Sequence, residues 1–284
     1  MKTALRVTAM IATVLATPAG LIAQAQTGLP ATQPGAITIF RELVKPGHNA
    51  EHEKLEVGWP AAFAKSKSPA YYLALTSMTG ANEAWYVSSY ASWKALGDQN
   101  KADGANAVLT AELDRLSKAD GEHLTNTISI HAVGRPDLSH GAFPEIAKQR
   151  VFEIAWYRVR LGHEPAFEAA AKVVQKAFAK ALPQSSYRVY QVVGGVVNPA
   201  YLVFSSGTSF EFFDGAMATG TALNAAYSAE DRTMLQKFTL EGLVNVETQR
   251  FSVNGPMSYV PAETIALDPA FWRPKKPAAK PASP

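Results

Sequence analysis

"VKPGHNAEHEKL" (Val44 to Leu55) and "VRLGHEPAFEAA" (Val159 to Ala170) decide the fold. Each follows an apolar strand-like run, and each places a Gly-His pair ahead of a helical pattern. A glycine there permits the positive φ that a sharp strand-to-helix turn requires. With Val44 laid on Val159, Gly47 meets Gly162, His48 meets His163, Tyr72 meets Tyr187 and Gly80 meets Gly195. One extra residue then aligns Asn82 with Asn198 and Trp85 with Tyr201. Fixed-offset similarity of this kind is the mark of an internal repeat.

Both halves show the same order of elements. An apolar strand, "ITIFRELV" (Ile37 to Val44) or "VFEIAWYRV" (Val151 to Val159), leads into the glycine turn and a helix. In the second half Phe167, Ala171, Val174, Phe178 and Leu182 share a helical face, and Pro165 sits in the tolerated first turn. In the first half Gly58 and Pro60 predict a break in the helix. Two strands with a tight turn follow, then a further helical region, then a closing strand. The order βαββαβ, written twice, predicts an α+β fold of two tandem ferredoxin-like units. Helices cover one face of such a sheet, and the apolar character of the other face predicts that the two sheets press together.

The chain organisation follows. Residues 1–25 read as an export signal, with Lys2 and Arg6 ahead of "VTAMIATVLA" and "AQA" placed for cleavage before Gln26. The first unit is expected over 35–133, a linker over 134–149 and the second unit over 150–255. Residues 256–284 read as an extended arm with a disordered Pro/Lys-rich tail. The mature protein is therefore expected in the periplasm or outside the cell, with no membrane span. There is no cysteine, which excludes disulfides, thiolate metal sites and cysteine nucleophiles. Six of the 27 Lys and Arg residues lie in the signal and tail, so the 24 acidic residues outnumber the basic ones in the body. That balance argues against nucleic-acid binding.

"VFEIAWYRVRLGHEPAFEAAAK" (Val151 to Lys172) resembles the opening strand and helix of the dimeric α/β-barrel superfamily, in its NIPSNAP-like and antibiotic-biosynthesis-monooxygenase-like members. Phe152, Glu153, Ile154, Tyr157 and Gly162 match, while Ala155 stands where the pattern has Arg. "LVKPGH" (Leu43 to His48) is similar to the same turn, with Thr38 and Phe40 where Glu and Arg would fall. The resemblance implies an internal dimeric α/β barrel, a pseudo-dimer of the two halves, and a pocket between helices and sheet or inside the barrel. It also implies company that ranges from cofactor-free oxygenases and isomerases to haem enzymes.

The residues suggest where chemistry could sit. Glu42 and Glu153 lie among apolar neighbours on first strands, where a desolvated carboxyl is suited to proton transfer, and alternation puts them with Thr38 and Tyr157 on one face. His48 and His163 could cap a helix or act as bases at a pocket mouth. These four are the catalytic candidates; Tyr72, Trp85, Tyr157, Tyr187 and Tyr201 are the ligand-binding candidates. His48 and His52 have the i, i+4 spacing of metal ligands, but Phe167 occupies the matching place of His52, which favours packing, so no metal is expected. His123 and His131 could face a haem, yet lack histidine counterparts in the second half, so no cofactor is expected. Three functions stay open: an exported small-molecule-binding protein, a cofactor-independent oxygenase or isomerase, or a pocketless interaction module docking a partner through Ser258 to Trp272.

Overall fold

The computed structural model describes residues 28–274. The expected export signal and the Pro/Lys-rich end of the expected tail lie outside the described residues. Eight strands form one closed, antiparallel barrel: β1 (Ala36–Val44), β2 (Tyr72–Ser77), β3 (Glu83–Tyr90), β4 (Leu124–Gly134), β5 (Val151–Val159), β6 (Arg188–Gly194), β7 (Ala200–Gly207) and β8 (Leu243–Val253). The order round the barrel is β1-β3-β2-β8-β5-β7-β6-β4, and β4 returns to β1. The halves meet at two short seams. Leu75, Thr76 and Ser77 of β2 pair with Val253, Ser252 and Phe251 of β8, and Ala132 to Gly134 of β4 pair with Val192 to Tyr190 of β6.

Period-two alternation sorts each strand between two apolar environments. Ile37, Ile39, Trp85, Ile154, Trp156, Leu202 and Phe251 point into the barrel and fill it, with Trp85 edge-on to Trp156 at 6.2 Å and 4.8 Å from Phe251. The outward face meets the helices. In the first half these are α1 (Asn49–Glu56), α2 (Gly58–Lys65), α3 (Trp93–Gly104) and α4 (Ala107–Asp120). In the second they are α5 (Glu164–Ala181), α6 (Ala216–Ala226) and α7 (Ala229–Glu241).

The two junctions that open the sequence have matching backbones. Gly47 has φ +84° and Gly162 φ +85°, while His48 and His163 both adopt φ −102°, ψ 10°. A Cβ on either glycine would meet nothing within 4 Å, so the requirement is for the left-handed conformation and not for space. The expected break in the first helix falls at Val57, between α1 and α2. Gly58 allows α4 close approach: a Cβ there would lie 2.7 Å from Leu116 Cδ2.

The connection at 134–149 is packed in place. Leu138 is fully buried, and Arg135 bonds Glu168 of α5 at 2.7 Å. The arm folds back on its own barrel through α8 (Ala262–Leu267) and α9 (Pro269–Trp272). Tyr259 exchanges backbone hydrogen bonds with Tyr72 (2.9 and 3.1 Å), and Ser258 Oγ accepts from the Ala74 amide. Trp272 is fully buried. Ser258, Val260 and Trp272 of the arm are buried within the chain, and cavities lie beneath the helices. No helix among the described residues is long and apolar enough to cross a membrane.

Candidate functional site

A cavity of about 340 Å³ opens between the outward face of the first-half sheet and the helices above it. Thr38 and Glu42 come from β1, Tyr72 from β2, and Tyr86 and Ser88 from β3. Trp59 and Phe63 of α2 and Gln99 and Asp103 of α3 close the other side. Strand pairing places these side chains together: Thr38 lies across from Ser88, and Tyr72 lies across from Ser88 on the far side.

Four ionisable side chains meet at its base. Glu42, Glu56 and His52 are 5%, 3% and 4% exposed, and Asp120, the last residue of α4, is 1% exposed. His52 Nδ1 lies 2.9 and 3.1 Å from the two Asp120 carboxylate oxygens. On the other side of the ring, His52 Nε2 stands 3.8 Å from Glu42 Oε2. One ligand atom from each of the four lies within 4.8 Å of the others, so they could together hold a metal ion. Among the described residues no Lys or Arg pairs with any of them.

Burial dominates the electrostatics. It pushes the Glu42 carboxyl up to about 9, with the charges of Glu56 and Asp120 adding to the effect. Glu56 is pushed up to about 7, again by burial first; the facing Tyr86 hydroxyl opposes the shift, Asp120 adds to it, and His52 lowers it. Burial beside these carboxyls holds the Tyr72 and Tyr86 hydroxyls well above the usual phenol range. Glu42 Oε2, Glu56 Oε1, Tyr72 OH, Tyr86 OH and Trp59 Nε1 are all buried without a hydrogen bond of ordinary geometry. Unsatisfied buried groups are costly, and here they converge on one cavity.

The second half places a different surface at the same location. Its cavity of about 500 Å³ has Tyr157 where the first half has Glu42, Phe167 in place of His52, and Ala171 in place of Glu56. Thr239 of α7 faces that cavity, where α4 has Asp120. The candidate residues thus divide among separate places. Glu42 and Tyr72 face the first cavity; Glu153, Tyr157 and Tyr187 line the second. Glu153 is a rim carboxylate bonded to Arg250 Nε at 3.0 Å. Trp85 lies inside the barrel, and Tyr201 is fully buried, stacked on Phe167 at 3.8 Å.

The repeat register explains the Trp85 placement. Ala84 pairs with Glu42 and Tyr201 with Tyr157, so Tyr201 corresponds to Ala84 and not to Trp85. Neither His48 nor His163 caps a helix with its side chain. His48 Nδ1 lies 2.9 Å from His123 Nδ1, and His163 sits beside Gly242. His131 packs on Trp93 at 5.3 Å. None of these histidines lines either cavity.

Sequence reasoning missed Glu56, Asp120, Tyr86 and Trp59. Two signals were available. His52 and Glu56 are four apart on one helical face. Asp120 ends a helix, where the macrodipole disfavours an anion unless something else holds it. The reading of His52 as a packing residue is correct in position but not in kind, since its ring is buried and hydrogen-bonded to Asp120.

No family model matches the sequence, and no curated protein is similar to it in sequence. Solved structures share the fold at low identity. A provisionally assigned monooxygenase from Fusobacterium nucleatum is 10% identical, with 77% of this chain and 91% of that chain covered and a TM-score of 0.50. A second provisionally assigned monooxygenase, from Lactobacillus acidophilus, is 8% identical over 78% of this chain and 94% of that one, with a TM-score of 0.47. Chlorite dismutase from Candidatus Nitrospira defluvii is 12% identical, covering 78% and 92%, with a TM-score of 0.45. These neighbours have the dimeric α/β-barrel fold. At such identities the likeness is one of fold, and nothing in it singles out a NIPSNAP-like branch.

Proposed function

We propose that the protein binds a small, flat, largely apolar organic molecule in the first-half cavity, with its polar group set against Glu42, Glu56 and Tyr86. The observation that supports this reading is the convergence of orphaned buried polar atoms on an aromatic-walled space of ligand size. A protonated Glu42 can donate to a carbonyl or phenol oxygen, while Trp59, Phe63 and Tyr72 supply flat apolar contact. Phenols and quinones are the compounds to test. Thermal stability should rise with ligand concentration, and Tyr86→Phe or Trp59→Ala should weaken the response about tenfold or more. A response equal in wild type and both variants would move binding elsewhere.

A second reading is favoured by one feature, the Glu56 carboxyl held at about 7 beside the cavity. A base poised near neutrality suits a cofactor-independent oxygenase or isomerase that takes a proton from its substrate. On that reading Glu56→Gln abolishes turnover while leaving the fold intact.

We also propose that the barrel is built from two tandem ferredoxin-like units, an internal pseudo-dimer, on a protein exported to the periplasm or beyond. The matched turns at Gly47 and Gly162 and the equivalent strand orders support the first statement. For the second, the N-terminus of protein recovered outside the cytoplasm should begin at Gln26. A start at Met1 would rule out a cleaved signal.

A further inference from the structure

We infer that Glu42, His52 and Glu56 form a binding site for one divalent transition-metal ion, with Asp120 as the carboxylate that orients His52. The inference rests on the first-half cavity being the functional site, and it specifies what the base of that cavity holds.

The histidine gives the first argument. Asp120 oxygens lie at 2.9 and 3.1 Å from Nδ1, and a carboxylate only accepts, so the Nδ1 proton is donated to it. With Nδ1 engaged in this way, Nε2 is the ring nitrogen left to bind an ion, on the side away from Asp120. A carboxylate behind the imidazole, fixing tautomer and ring orientation, is the recurrent outer partner of a metal-bound histidine.

The spacing gives the second. Nε2 and Glu42 Oε2 are 3.8 Å apart, too far for a hydrogen bond. Two donors bound at about 2.1 Å to a common ion stand roughly 3 to 4 Å from each other. Glu56 Oε1 is likewise buried without a hydrogen bond of ordinary geometry, and one ligand atom each of Glu42, His52, Glu56 and Asp120 lies within 4.8 Å of the others. The side chains of Glu42, His52 and Glu56 are each more than nine-tenths buried, and each has a buried N or O atom without a hydrogen bond of ordinary geometry.

The donor set limits the metal. One imidazole nitrogen with carboxylate oxygens and no sulfur suits Zn²⁺, Mn²⁺ or Fe²⁺, and disfavours Cu⁺. Glu42 and Glu56 both line the cavity, so the open coordination positions of such an ion would face it. There they would meet the polar group of the organic ligand, which makes oxygen chelators such as catechols the class to expect. The second half holds Tyr157, Phe167 and Ala171 at the same places and offers no equivalent donors. One ion per chain follows.

The test uses the full mature chain, stripped with dipicolinate and dialysed against ZnCl₂, MnCl₂ or, anaerobically, Fe²⁺ at pH 7.5. Metal content is then measured by mass spectrometry, and Mn²⁺ also by its electron paramagnetic resonance. One tightly held ion per chain is expected. His52→Ala should weaken binding about 100-fold and Asp120→Asn about 10-fold or more, while His163→Ala and Glu153→Gln leave it unchanged. If circular dichroism shows His52→Ala to be unfolded, the near-isosteric Glu56→Gln serves in its place and should also lose the ion. No bound ion, or binding that survives both His52→Ala and Glu56→Gln, overturns the inference. Stabilisation of the metal-free protein by phenols in that event leaves the small-molecule reading standing; loss of both responses removes the cavity as the site.

Discussion

Replacing Trp272 with alanine is expected to cost about 3 to 5 kcal/mol of stability, although the residue lies close to the end of the described residues. Its indole is fully buried and packs with Val260 and Phe271 against the side chains that fill the barrel. Arg150, from the approach to β5, lies 3.8 Å over the Phe271 ring and pairs with Asp268 at 2.7 Å, tying the arm to the second half. Tyr259 and Ser258 tie it to β2 in the first. Deleting the indole leaves a void where both halves and the arm converge, and the site cannot collapse without moving backbone. Urea unfolding of Trp272→Ala against wild type measures the loss, with Phe210→Ala, at 61% exposure, as a control expected within about 0.5 kcal/mol. A cost below about 1 kcal/mol for Trp272→Ala would show the arm to be peripheral.

The metal-free protein should become less stable as pH rises from about 5 to 9, opposite to the usual acid sensitivity of carboxylate-rich proteins. The sign comes from Glu42 and Glu56. Their folded values, about 9 and about 7, lie above the ordinary 4.5, so the folded chain holds these protons more tightly than the unfolded chain. The contribution is fully present below 4.5. It is lost as pH rises, through about 7 for Glu56 and about 9 for Glu42. Each full proton difference changes stability by about 1.4 kcal/mol per pH unit. The groups facing them are His52 on α1, Asp120 on α4, Tyr72 on β2 and Tyr86 on β3. Unfolding by urea across pH 5 to 9 in the presence of chelator checks the slope. Glu42→Gln should flatten it above pH 7, because an amide keeps the shape of the protonated acid and has no proton to lose. A wild-type profile flat over this range would mean that the cluster is solvated.

The strand–turn–helix junctions were legible because a positive φ leaves a mark in sequence: glycine at 47 and at 162. The helix break was legible from Gly58 and Pro60, residue types that disfavour a helix interior. Barrel closure was expected only through the resemblance to the dimeric α/β-barrel superfamily, since its seams rest on three and four residue pairs with no motif of their own. The place of Trp85 was hidden because its strand is apolar on both faces, one toward the barrel and one toward the helices, so alternation cannot say which face holds the pocket. A repeat register short by one residue in β7 then set it beside tyrosines that lie on the other side of the sheet. Half of the charged cluster, His52 and Glu56, shows as one turn of helix. The other half needs β1 and the end of α4 brought to it, a meeting of residues 42, 52, 56 and 120 that only the folded chain makes.

Closure of the barrel by a single chain has a further consequence for how such a protein can change. In a barrel made from two identical subunits, every substitution is made twice, and a charge placed under one set of helices appears under the other. Here position 42 can be a glutamate while position 157 is a tyrosine, and position 52 a histidine while 167 is a phenylalanine. The oily compartment can supply rigidity and stability while its opposite number tolerates the strain of buried, unpaired carboxyls. Two unlike compartments in one chain let one side be costly because the other side need not be.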